Sequence, residues 1–236
     1  MAVRKSKTSP RAKSSRARAS LLETMKKSDL KYYLYERSVQ CPEWHVRHFP
    51  RYLLWMTKRK ARTLREDFCG TARISAEWVK SEKGRVAVGM DLDPEPLDYF
   101  ERFHRAELSD AQSKNLRLEQ RNVLETTREK FDLIAACNFS FFIFHERATL
   151  LRYFRAARAS LNPGGALFLE MAGGEGMQEG MEEERTFQAK GIGRVKYVWD
   201  QMEFDAISAS NDYAIHFQLP NRRWIRDAFT YHWRIW

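Results

Sequence analysis

The sequence predicts an α/β fold: a mostly parallel sheet with flanking helices, followed by a C-terminal antiparallel meander. Three observations predict it. Short apolar runs alternate with amphipathic segments across residues 61–171, as in repeated βαβ units. The first run ends in a glycine turn, Asp67-Phe68-Cys69-Gly70, and the second ends near an aspartate, Asp91, placed 21 residues after Gly70. From Val195 the apolar period drops to two, as in strands with one buried face.

Residues 1–28 hold nine Lys or Arg against the single acid Glu23, so this segment carries +8 of the chain's net charge of +10. Rich in Ser and Ala and poor in apolar residues, it is expected to be a disordered basic tail. The body of the chain is close to neutral. Any affinity for nucleic acid is therefore expected to reside in residues 1–28.

Residues 29–60 are expected to form a helical cap. It begins with the aromatic cluster Tyr32, Tyr33 and Tyr35 and continues in a helix from Pro42 to about Lys60, proline being well suited to a helix start. Trp44, His48, Tyr52, Trp55 and Met56 supply its apolar and aromatic positions at helical spacing. The core, residues 61–174, opens with a strand at Ala61–Phe68 and a helix at about Thr71–Ser81. A strand at Val86–Leu92, a helix at about Pro96–Leu108 and a strand at Leu116–Gln120 follow. Phe131–Cys137 reads as a buried fourth strand, and the helix Glu146–Leu161 stops at Asn162-Pro163-Gly164-Gly165, a strong breaker. Ala166–Met171 is the fifth strand.

Residues 173–184, polar and acidic, read as a mobile loop. With that loop, residues 175–236 form the meander, whose strands carry Val195, Tyr197 and Trp199, then Tyr213 to Leu219, then Phe229 to Ile235. No apolar run approaches the ~18 residues of a membrane helix, and no membrane association is expected. Cys41, Cys69 and Cys137 lie far apart without a CxxC pair, which fits a cytoplasmic chain with free thiols. Cys41, His45 and His48 share a helical face but lack a fourth ligand, and no metal is expected.

In an open α/β sheet, ligands bind beyond the carboxyl ends of the strands. The turn Glu66-Asp67-Phe68-Cys69-Gly70-Thr71-Ala72 has one glycine, where a dinucleotide needs several for close approach of its pyrophosphate. The carboxylates of Glu66 and Asp67 would repel that pyrophosphate. They suit a ligand bearing an ammonium and a sulfonium, which favours S-adenosylmethionine as the cofactor. Asp91 stands where an acid accepts hydrogen bonds from both ribose hydroxyls. Asp93, before Pro94, reads as a helix cap.

The segments resemble class I S-adenosylmethionine-dependent methyltransferases in order and spacing, over roughly residues 30–236. Leu34-Tyr35-Glu36 with Ser38-Val39-Gln40, and Arg65-Glu66-Asp67-Phe68-Cys69-Gly70-Thr71, resemble a bacterial branch of that family. So do Asn138-Phe139-Ser140-Phe141 and Phe229-Thr230-Tyr231 before Trp233-Arg234. The resemblance implies a Rossmann-like core and a cofactor site of Glu66, Phe68, Gly70, Thr71, Asp91, Leu92, Asn122, Val123 and Asn138. It places Glu66 near the methionine ammonium, Leu92 on the adenine, and Asn122-Val123 at the adenine amino group. Phe68 and Ala72 stand where the family has glycines. The family's sheet normally has seven strands, so its final strands are expected to be missing here.

Asn138 and His145 are the catalytic candidates, and Tyr35, Phe139, Phe141 and Trp199 are the candidate acceptor wall. His145 with Glu146 also sits where it would cap the following helix. The expected function is methyl transfer to a small-molecule acceptor. An RNA or protein acceptor held by the basic tail is one alternative, and an inactive or truncated cofactor-binding module is another. Methyl transfer is an in-line displacement at a carbon that the sulfonium already activates, so alignment and proton removal are what it asks of the protein.

Overall fold

The computed structural model describes residue 22 and residues 24–236, so most of the expected basic tail lies outside the described residues. The chain divides into two compact units. The larger holds Val39–Met181, Gln201–Tyr213 and Tyr231–Trp236, and the smaller holds the residues up to Ser38 with Glu182–Asp200 and Ala214–Thr230.

In chain order, helices α1 (Lys27–Ser38) and α2 (Pro42–Thr57) precede strand β1 (Thr63–Asp67). Then come α3 (Arg73–Ser81), β2 (Val86–Asp91), α4 (Pro94–Phe103), the short α5 (Asp110–Lys114) and β3 (Leu116–Gln120). Strand β4 (Phe131–Ala136), helix α6 (Arg147–Ser160) and strand β5 (Leu161–Leu169) complete the first sheet. Four further strands follow: β6 (Met181–Ala189), β7 (Gly193–Gln201), β8 (Ser210–Gln218) and β9 (Trp224–Arg234).

The larger unit is built on a five-stranded parallel sheet of order β3-β2-β1-β4-β5. The expected α/β class is therefore found. β1 lies centrally, and the order reverses between it and β4, so the turn after β1 opens at the switch point. Leu64, Ala87, Leu133 and Ala135 are buried in one core with Ile74, Ala76, Trp78 and Val79 of α3. Asp93 caps α4 as its position before Pro94 suggested, accepting from the Glu95 N–H at 2.9 Å.

Helix α2 buries a different stripe from the one its aromatic residues suggested. His45, Val46, Phe49 and Leu53 face inward, while Trp44, Tyr52, Trp55 and Met56 are exposed, Trp55 to 74%. Both stripes satisfy a period of 3.6, and side-chain size did not decide between them. The breaker at residues 162–165 is real but lies inside the β5 span. Phe131 pairs with Leu161 and Leu133 with Ala166, so the residues between bulge out of the ladder. Gly165 is needed there, because a Cβ would come within 2.9 Å of the Asp132 carbonyl oxygen.

The second sheet has order β6-β7-β8-β9 and is the expected antiparallel meander with one strand more. Its strands run through both units. Part of the expected mobile loop is the beginning of β6, whose Glu182, Glu183 and Glu184 are exposed. A charged edge strand hides the alternation that marks a half-buried one. In the smaller unit, Val195, Tyr197, Ile215 and Phe217 are buried with Leu30, Tyr32 and Leu34 of α1. In the larger unit, Trp233 packs edge-on against Phe139 and Phe142. No described helix is long and apolar enough to cross a membrane.

Candidate functional site

The turn after β1 is held by backbone bonds on both sides. Cys69 N–H donates to the Met90 carbonyl at 2.9 Å, and Ala72 N–H donates to the Cys69 carbonyl at 2.7 Å. Phe68, Gly70 and Ala72 all have φ between +48° and +56°, a region that only glycine visits without strain. The backbone thus keeps the conformation of a glycine-rich turn although two of the three residues carry side chains. A Cβ built on Gly70 meets nothing within 4 Å, so the turn's backbone borders open space.

Asp91 and Gly70, paired by spacing in the sequence, are brought together. Gly70 N–H donates to one Asp91 oxygen at 2.7 Å, and Asp93 N–H donates to the other at 3.0 Å. Burial raises the Asp91 pKa, and these hydrogen bonds act against that rise. Leu92 beside it is 61% exposed. Thr71 is buried, and its hydroxyl has no hydrogen-bond partner among the described residues. Asn122 uses its side-chain oxygen locally, accepting from Leu124 N–H at 2.9 Å, while Val123 is buried.

The two carboxylates before the turn point to opposite sides of β1, as alternating residues of a strand must. Asp67 forms an ion pair with Arg65 at 2.7 Å, both side chains wholly buried, and accepts from the Tyr153 hydroxyl at 2.8 Å. Its charge is therefore offset inside the protein. Glu66, 4% exposed, accepts from Ser75 N–H and the Ser75 hydroxyl at 2.7 and 2.5 Å. Burial pushes its pKa up to about 7, against the pull of Ser75. Of the two charges counted against an anionic ligand, only that of Glu66 lacks a guanidinium partner.

Beyond β4, Asn138 and Phe139 also have positive φ, +53° and +59°. Asn138 N–H donates to a Glu170 oxygen at 2.7 Å. Phe141, Phe142 and Phe144 are buried, Phe141 packing on Phe142, Phe142 on Trp233 and Phe144 on Tyr153. Phe141 is thus a core residue, and Phe139 is the partly open member of the group. His145 Nε2 lies 2.9 Å from the His232 carbonyl, and its ring stacks on His232. Its Nε2–H donates in that bond, which leaves Nδ1 as the nitrogen able to take a proton. Tyr35 and Trp199 belong to the smaller unit, where Tyr35 packs on Phe229 at 4.7 Å.

Sequence reasoning set His45 beside Cys41 and His48 and missed Cys137 and Glu170, whose ligating atoms lie with that of His45 within 4.8 Å of one another. His45 comes from α2, and Cys137 and Glu170 directly follow β4 and β5. The signal available was position alone: both strand-end residues stand at carboxyl ends, where ligands gather. A separate cavity of about 520 Å³ lies between α2 and α3. It is lined by Lys60, Glu82 and Arg85, which precede β1 and β2, and so sits toward the amino ends of those strands. Its lining mixes Arg47 and Arg51 with Glu43 and Glu77, so it offers a ligand no single sign of charge.

Among curated proteins nothing matches the chain. Residues 69–167 match the family model described as a methyltransferase domain. Solved structures share the fold. The sugar N-methyltransferase KedS8 from Streptoalloteichus has a TM-score of 0.65 at 18% identity, covering 87% of this chain and 78% of its own. CalS10, an amino pentose methyltransferase from Micromonospora echinaspora with S-adenosylmethionine bound, has 0.67 at 14%, covering 86% and 80%. DesVI from Streptomyces venezuelae has 0.68 at 17%, covering 88% and 82%. The chain has the Rossmann-like fold of these methyltransferases.

Proposed function

We propose that the chain is an S-adenosylmethionine-dependent methyltransferase acting on a small-molecule acceptor. The observation that carries the reading is the switch-point turn, with Gly70 N–H hydrogen-bonded to Asp91 and open space above Gly70, inside the segment that matches a methyltransferase domain. The donor set fits the cofactor's chemistry. Asp91 offers acceptors to ribose hydroxyls, Leu92 an exposed apolar surface to the adenine, and Glu66 a carboxyl to a cationic ligand. Thr71 adds a buried hydroxyl without a partner. When bound, the cofactor supplies a methyl carbon activated by its sulfonium. Asn138 and Phe139 border the same end of the sheet and are assigned to acceptor placement. The Arg65–Thr71 turn resembles that of a bacterial branch of class I methyltransferases, and this resemblance supports placing the chain there.

Support for a small acceptor comes from the neighbours, two of which are named for sugar and amino pentose methylation. The test is calorimetric titration with S-adenosylmethionine. Saturable binding is expected, weakened in Asp91→Ala by roughly 1–3 kcal/mol as charged hydrogen bonds are lost. Equal affinity in that variant overturns the ribose assignment, and no binding by folded protein overturns the function. Labelled-cofactor transfer would then be measured on amino sugars, on RNA, and on protein fractions. Transfer to RNA alone, abolished by deleting residues 1–21, would replace the small-molecule reading.

A further inference from the structure

We propose that His45 Nε2, Cys137 Sγ and a Glu170 carboxylate oxygen form a binding site for a zinc-class divalent ion with an open fourth position. This departs from the sequence expectation of no metal, and it rests on no part of the methyl-transfer reading.

The ligand chemistry comes first. Thiolate, imidazole and carboxylate together are a zinc-type donor set, and three protein ligands with a free fourth position characterise reactive rather than structural sites. Their charges, −1 from sulfur and −1 from the carboxylate, neutralise a divalent ion. The three atoms lie within 4.8 Å of one another, and metal–ligand bonds of ~2.0–2.3 Å in a tetrahedron need ligand separations of roughly 3.3–3.8 Å. His45 Nε2 is already 3.8 Å from Glu170 Oε2.

The outer partners point the same way. His45 Nδ1 lies 2.9 Å from the Cys41 carbonyl, so Nδ1 carries the proton and Nε2 is the nitrogen turned to the cluster. A ligating histidine commonly has its other nitrogen tied to a carbonyl in this way. The ring is held by Phe49 and Trp44 at 5.2 and 5.5 Å. Glu170 is anchored by Asn138 N–H at 2.7 Å. His48, by contrast, bonds the Trp44 carbonyl and stacks on Trp44, so the sequence trio of Cys41, His45 and His48 is not the site.

Access is present as well. His45 and Cys137 are buried, whereas the Glu170 side chain is 41% exposed, which leaves one side open for an ion and its fourth ligand. Burial, with the carboxyls of Glu66 and Glu170 nearby, pushes the Cys137 thiol up, so the ion itself has to displace the thiol proton. On binding, the Cys137 S–H bond breaks, the sulfur keeps the electron pair as thiolate, and the proton goes to buffer.

The experiment titrates chelator-dialysed full-length protein with Zn²⁺ alone, by competition with a chromophoric chelator, and with Co²⁺ in the spectrophotometer. One ion per chain and a thiolate-to-cobalt charge-transfer band are expected. Cys137→Ser should remove the band, His45→Gln and Glu170→Gln should weaken Zn²⁺ binding roughly tenfold or more, and Cys41→Ser should change neither. Circular dichroism checks that each variant is folded, with Cys137→Ala replacing the serine variant if needed. Absent binding overturns the site, as does binding that survives all three ligand substitutions. Loss of stability in His45→Gln without any metal binding would mean that a His45–Glu170 ion pair is all the cluster provides. S-adenosylmethionine binding measured on the same metal-free protein separates a failure here from a failure of the proposed function.

Discussion

The two sides of β1 bury two neighbouring carboxylates by opposite means. On one side Asp67 meets the guanidinium of Arg65 and the Tyr153 hydroxyl. On the other, Glu66 has its hydrogen bonds from Ser75, a neutral N–H and a neutral hydroxyl, with His45 within electrostatic reach and no guanidinium. A buried charge needs a partner or loses its ionisation. Asp67 has its partner within the chain, and Arg65 works against the rise that burial imposes on its pKa. Glu66, by contrast, with a pKa of about 7, is about half protonated at pH 7. The side with the internal cation is structural. The side without one is where the proposed function seats a cationic ligand.

The largest expected effect breaks the structural side. Arg65→Leu leaves Asp67 buried without its cation and should cost about 3–5 kcal/mol in urea unfolding. The double variant Arg65→Leu/Asp67→Leu should recover most of that, because two apolar groups leave no charge unmet. A single variant within about 0.5 kcal/mol of the parent would show that the pair does not hold this side together.

Glu66→Gln sharpens the contrast from the other side. The carboxyl has a folded pKa of about 7 against an ordinary 4.5. Between those values the folded state holds the extra proton, so stability falls as pH rises through the window and stays low above it. The substitution should therefore stabilise by about 3 kcal/mol at pH 8 and by nothing measurable at pH 4. Unfolding curves of both proteins across that range check it. An identical pH profile for parent and variant would place the carboxyl in a better-solvated setting than the one described.

Tyr153→Phe is the smallest test. It removes one of the hydrogen bonds to Asp67 and leaves the guanidinium in place, so a loss of about 1–2 kcal/mol is expected at the unfolding midpoint. A loss as large as that of Arg65→Leu would make the hydroxyl, rather than the cation, the principal partner of Asp67.

The core strands and the first turn were legible because they rest on local signals. Alternating apolar runs marked β1 to β4, and the Gly70–Asp91 spacing became a 2.7 Å hydrogen bond. Which side of β1 each carboxylate takes was implicit in strand alternation, yet the role of Arg65 needed Tyr153, 88 residues away, to become visible. Strand β6 escaped because charged edge positions carry no alternation. The α2 face was misassigned because large aromatics outweighed the smaller stripe that the core in fact buries. His45, Cys137 and Glu170 come from three separate elements, and only the sheet order brings them side by side.

The left-handed residues of the two loops at the carboxyl ends carry one more consequence. Phe68, Ala72, Asn138 and Phe139 hold a conformation that glycine would adopt freely, at a strain of roughly 1–2 kcal/mol each. Side chains at these positions also narrow what the unfolded chain can explore, which glycine would not do. The carboxyl end of the sheet therefore stores strain that the surrounding packing has to hold in place, as loops at functional sites often do.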